Sequence, residues 1–138
     1  MSSGPNDGLA LQEAVRLTIN ETPVMVSTGT WFPGSQGYSV LKSMTPNYQI
    51  GVIGLTKDDL SFLQWNDSQG HFNVMKILSY AGSKQVFLDK LGKARMLVIQ
   101  NSDSTFDSFE FGGQVLADPD SAQKAFSIIA AERERLNQ

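Results

Sequence analysis

Few residues of this chain have the type and spacing to do covalent chemistry. His71 is its only histidine. Any metal site or acid–base pair would have to be assembled from carboxylates around it, and its place after the turn cluster Asn66-Asp67-Ser68-Gln69-Gly70 is that of a solvated loop residue. Asp58-Asp59 has the oxygen ligands a hard cation takes, but as part of the polar stretch Lys57-Asp58-Asp59 it reads as a hairpin turn. Asp103-Ser104-Thr105 with Asp107 also suggests calcium. It lacks the glycine and terminal glutamate of an EF-hand loop, so a turn is again expected. Gly34-Ser35-Gln36-Gly37 falls one position short of a nucleophile elbow. Gly112-Gly113 is followed by no Lys-Ser/Thr pair, so it is no phosphate loop. The chain has no cysteine, which excludes disulfides, thiolate metal sites and a thiol nucleophile. With no nucleophile–base pair in view, the expectation is a noncatalytic protein without metal or cofactor.

The elements that would hold any site are more legible. Residues 1–8 are small and polar, with no basic region before an apolar run, so they read as a disordered lead-in rather than a signal peptide. A single domain is expected over residues 9–138. Leu11, Ala14, Val15 and Ile19 recur at helical spacing, although residues 15–19 also alternate like a strand. Pro23 breaks the pattern. Residues 24–32 are rich in β-formers, the glycines and proline of 33–37 make a loop, and residues 38–44 alternate weakly as a further strand. Residues 50–55 and 60–65 flank the Lys57–Asp59 turn, with Leu60 and Phe62 on one face and Ser61, Leu63 and Trp65 on the other. Residues 72–78, 84–89, 94–100 and 106–111 continue the series. That makes seven or eight strands without intervening helices, a spacing that demands antiparallel pairing because parallel strands need long crossovers.

The chain closes on one amphipathic helix. Asp118 suits the N-cap, Pro119 the first helical position, and Asp120 the positive end of the dipole. Ala122, Ala125, Phe126, Ile129 and Leu136 form an apolar stripe, which should lie on the sheet with Phe126 and Ile129 as anchors. The fold class expected is mainly β (α+β): a curled antiparallel sheet, or partly open barrel, capped by a C-terminal helix.

The segment Gly51-Val52-Ile53-Gly54-Leu55-Thr56-Lys57-Asp58-Asp59-Leu60-Ser61-Phe62 resembles the hairpin of GRAM-type pleckstrin-homology-like (PH-like) domains, with its strand, Leu-Thr, polar turn, Leu-x-Phe and strand. The later Ala94–Ile99 strand, the Phe109-Glu110-Phe111 strand and the closing helix follow the same order. The resemblance spans roughly Pro23 to Leu136 and implies a nearly orthogonal curled sheet plugged by the helix. It also implies a binding role, since such domains take lipids, phosphoinositides, peptides or proteins and are generally not enzymes. One departure stands out: the loop at residues 33–37 has none of the Lys and Arg that head-group-binding members place after their first strand. Phosphate recognition needs several charge-assisted hydrogen bonds.

Two candidate surfaces remain. Trp31, Phe32 and Tyr38 flank the 33–37 loop, and such aromatics serve either packing or a protein contact. Lys84, Lys90, Lys93 and Arg95 surround the second hairpin, where they read as solvated turn charges or as a weak anion or membrane-surface patch. The net charge of −3 gives no electrostatic reason to expect nucleic acid or an anionic membrane as main partner. No apolar run approaches the roughly 18 residues that span a bilayer. The expected function is an interaction module, cytoplasmic, that docks a partner protein or self-associates through a strand edge or the 31–38 aromatic loop. Peripheral lipid binding is the first alternative, and a small-ligand carrier or enzyme with an unrecognised pocket is the second.

Overall fold

The computed structural model describes residues 8–35, 48–91, 94–112 and 119–136. Helix α1 (Gly8–Ile19) leads into seven strands: β1 (Met25–Ser35), β2 (Gln49–Leu55), β3 (Asp59–Asn66), β4 (His71–Ser79), β5 (Ser83–Leu91), β6 (Ala94–Asn101) and β7 (Phe106–Phe111). Helix α2 (Pro119–Leu136) ends the chain. The expected strand at 38–44 and the Asp118 cap lie outside the described residues. All pairings are antiparallel, in the order β4-β3-β2-β1-β7-β6-β5. Two meanders are thus joined by the pairing of β1 with β7, and among the described residues β4 and β5 are the edges.

Alternation along the strands divides the core by face. The inner face carries Ile53, Leu55, Leu60, Phe62, Leu97, Ile99, Phe109 and Phe111, sealed by Ala122, Ala125 and Ile129 of α2. Both edge strands feed this cluster, β4 through Leu78 and β5 through Val86 and Leu88. Residues from both edges and from α2 thus share one continuous core on the inner face of the curled sheet. Two alanines on α2 let the helix sit close, while Phe126 and Ile128 pack partly buried beside Ile129. Of the two anchors expected from the sequence, Ile129 is the fully buried one. Burying such a side chain stabilises the fold by about 1.5–3 kcal/mol.

The outer face has its own cover. Leu11 and Val15 of α1 pack on Val52, Leu63 and Phe72, with Trp65 at the margin. The helical reading of residues 9–19 therefore prevails over the strand reading. Asn20, at φ 59°, ends the helix in the left-handed conformation that asparagine tolerates. Further round the same face, Phe32, Met96 and Val98 form a third cluster with Phe87 and Phe106.

Two glycines let the inner face close. Gly29 of β1 pairs with Gly51 of β2. A Cβ on Gly51 would run into the carbonyl oxygen of Leu63 and lie 2.9 Å from the Phe62 ring; one on Gly29 would lie 2.6 Å from the carbonyl oxygen of Glu110. The β2–β3 turn is tighter than the sequence suggested: only Lys57 and Asp58 loop out, because Thr56 N–H donates to Asp59 O at 2.9 Å. The Thr56 hydroxyl accepts from the amides of Asp58 and Asp59 at 3.2 and 3.1 Å, which accounts for a threonine here.

Candidate interaction surface

Trp31 and Phe32 point into packed layers, 8% and 9% exposed. Trp31 lies on the inner face with its ring 5.3 Å from Phe62. Its indole N–H donates to Asp107 Oδ1 at 2.9 Å. Asp107 is itself buried, and its other oxygen accepts from Asn101 Nδ2 at 2.8 Å. Trp31 is thereby a strut between β1, β3 and β7. Phe32 belongs to the third cluster, with Tyr48 beside it at 6.3 Å. Tyr38 lies outside the described residues.

The cations divide. Lys84 and Lys90 stand six residues apart on β5, about 20 Å at roughly 3.3 Å per residue. Lys84 is exposed and donates to Ser104 Oγ at 2.5 Å. Lys90 and Arg95 are opposite each other across the β5–β6 ladder, and Lys93 lies outside the described residues. Lys84 therefore stands apart from Lys90 and Arg95, at the opposite end of its strand.

The acidic positions build turns. Asp103 Oδ1 accepts from the amide and hydroxyl of Thr105 at 3.0 and 2.6 Å, and these bonds hold its carboxyl below the usual carboxylate range, with a smaller contribution from Lys76. Burial, then the neighbouring Asp58 and Glu21, push Asp59 up. Among the described residues no three His, Asp or Glu side chains gather as a metal site. His71 is exposed, and its Nδ1 lies 3.1 Å from the carbonyl oxygen of Phe72.

Tyr80, which sequence reasoning passed over, holds this end of the sheet. It is buried, and its hydroxyl proton is shared between the carbonyl oxygens of Thr56 and Asp59 at 2.7 and 2.8 Å. Its amide donates to Asp58 O at 3.0 Å. Burial first, then the carboxylates of Asp59, Glu132, Asp58 and Glu21, push the phenol far above its ordinary range. The β4–β5 corner is thus bolted to the β2–β3 turn, which fixes where β4 ends.

Among the described residues β4 is a terminal strand of the sheet and carries exposed apolar side chains. Val74, Met75 and Ile77 are 39%, 42% and 58% exposed. Hydrogen-bonded pairs alternate along an antiparallel ladder, and the Thr56–Asp59 and Tyr80–Asp58 bonds set the phase. Counting in twos, Leu78, Lys76 and Asn73 direct their backbone groups to β3. Those of Val74 and Ile77 face the free side, with Phe72 and Ser79 in the same phase; there Gly82 N–H donates to Ser79 O at 3.2 Å and His71 Nδ1 lies against Phe72 O. The register shifts between Phe62 and Leu63, so Met75 is an extra residue, a bulge. Next to this edge, Leu17, Ala14, Trp65, His71 and Phe72 line a shallow, mainly apolar depression of about 170 Å³.

The β5 edge is different. It starts with a register shift at Lys84, and Arg133 of α2 donates to the carbonyl oxygens of Ser83 and Lys84 at 3.4 and 3.1 Å. Among the described residues no helix is long and apolar enough to cross a membrane. Compared with known proteins, the chain matches no family model and no curated sequence.

Proposed function

We propose that this protein is a noncatalytic interaction module that takes an added strand from a protein partner along β4. The observation that carries the reading is the outward-facing backbone of Val74 and Ile77 on β4, a terminal strand of the described sheet, beside the exposed side chains of Val74, Met75 and Ile77. Backbone hydrogen bonds along such an edge supply affinity and neighbouring side chains supply selectivity. The order of seven antiparallel strands followed by a closing helix supports the likeness to PH-like domains. The burial of Trp31 and Phe32 favours the edge over the 31–38 loop as the working surface. Lipid binding, the first alternative, rests on the Lys90 and Arg95 hairpin alone once Lys84 is set apart.

The test is affinity capture with the wild-type chain and with Ile77→Lys as baits. Ile77 is exposed, so the substitution leaves the fold intact, which thermal unfolding verifies. The partners captured by wild type should be lost or strongly reduced on Ile77→Lys. Equal recovery by both baits refutes the edge as the site.

A further inference from the structure

We infer that the strand added to β4 is β4 of a second copy of this chain, in an antiparallel register that sets Ile77 opposite Val74 of the other copy. The inference rests on the strand-addition reading above and narrows it to one occupant. The bulge is the reason. Outward-facing residues of β4 step by two from Ser79 to Ile77, by three from Ile77 to Val74, and by two again from Val74 to Phe72; Gly82 already occupies the Ser79 carbonyl, so Val74 and Ile77 carry the pairing. An ordinary strand can follow that edge only as β3 does, leaving one residue of β4 unopposed. A second copy, turned about a two-fold axis between Met75 and Lys76, has the same three-residue step in the same place. Ile77 then meets Val74, Val74 meets Ile77, Ser79 meets Phe72, and Met75 meets Lys76, so every residue from 72 to 79 has a partner. A two-fold contact of this kind uses one patch twice.

The side chains agree with the register. Val74 and Ile77 share the outer face, opposite Leu63 and Ser61 of β3. The pairing gathers four exposed apolar side chains, two from each copy, over the axis. Bulges and lysines on edges oppose indiscriminate pairing. Here the bulge sits on the axis, and Lys76 faces a methionine rather than its own symmetry mate. The β5 edge, with Lys84 at its bulge and Arg133 on its carbonyls, is a poor partner for β4. The assembly therefore closes as a dimer instead of growing into a filament.

Sedimentation velocity over a concentration series tests this on the full chain. Wild type should move from the mass of one copy to that of two, and Ile77→Lys should weaken the association at least tenfold while keeping its melting temperature. The register has its own test, because the chain has no cysteine of its own. A mixture of Val74→Cys and Ile77→Cys chains should form a disulfide-linked heterodimer on mild oxidation, since facing Cα atoms would be about 5.5 Å apart. Either variant alone should remain largely unlinked, its thiols being about 10 Å out of register and beyond disulfide reach. A chain that stays monomeric, a dimer that Ile77→Lys leaves unchanged, or single variants that link as well as the mixture would each overturn the inference. If the chain is monomeric but captured partners are still lost on Ile77→Lys, self-pairing fails and strand addition survives.

Discussion

Trp31→Phe removes the indole N–H that Asp107 Oδ1 accepts at 2.9 Å, and leaves one donor, Asn101, on a buried carboxylate. A hydrogen bond to a charged group contributes about 1.5–3 kcal/mol. The smaller ring also opens space against Phe62, for which about 1–2 kcal/mol is typical of a core truncation of this size. The expected loss is about 3–4 kcal/mol. At about 3–5 °C per kcal/mol for a domain of this size, the melting temperature should fall by roughly 10–15 °C. Urea unfolding of wild type, Trp31→Phe, Asp107→Leu and the double variant forms a cycle. Because the two groups share one bond, the double variant should be less damaging than the sum of the singles by at least about 1 kcal/mol. A loss under about 1 kcal/mol for Trp31→Phe, or strict additivity, refutes the strut. The same result bears on function: a binding defect from Trp31→Ala would report a damaged core, not a lost contact.

Two further perturbations probe the frame that presents β4. The Tyr80 phenol titrates higher when folded than its ordinary value of 10.0. The unfolded chain therefore loses that proton first, and stability conferred by the group is present below about pH 10 and declines as pH rises above it. Alkaline unfolding should show this decline in wild type and a shallower one in Tyr80→Phe, which should also be about 1–3 kcal/mol less stable at neutral pH because a buried carbonyl loses its donor. Gly51→Ala puts a methyl group into the Leu63 carbonyl and should destabilise by more than about 2 kcal/mol; a change within about 0.5 kcal/mol would mean that β2 and β3 are not this close.

Local signals made much of the fold legible. The Thr56 turn, the alternation around it and the stripe of α2 depend on neighbours in sequence, and they predicted antiparallel strands closed by a helix. What was not legible depends on contacts between distant residues. The pairing of β1 with β7 brings Trp31 to Asp107, and it turns an aromatic at a loop margin into a core residue. Asp107, weighed beside Asp103 as a calcium ligand, instead satisfies an indole. Tyr80 follows β4 with no periodicity to mark it, and its role appears only when the β2–β3 turn folds against it. The free edge was equally hidden, because sequence shows strands but not which of them end a sheet. A period-two reading of residues 72–78 also runs straight through the Met75 bulge, the feature that decides which backbone groups face outward.

Amide hydrogen exchange along β4, followed residue by residue in dilute solution where only the monomer is present, tests the open edge most directly. The amides of Lys76 and Leu78, bonded to β3, should be strongly protected, while those of Phe72, Val74, Ile77 and Ser79 exchange rapidly. Raising the protein concentration should then slow the second group alone. Strong protection of the Ile77 amide in the dilute monomer would show that something within the chain already occupies the edge, and would contradict the account.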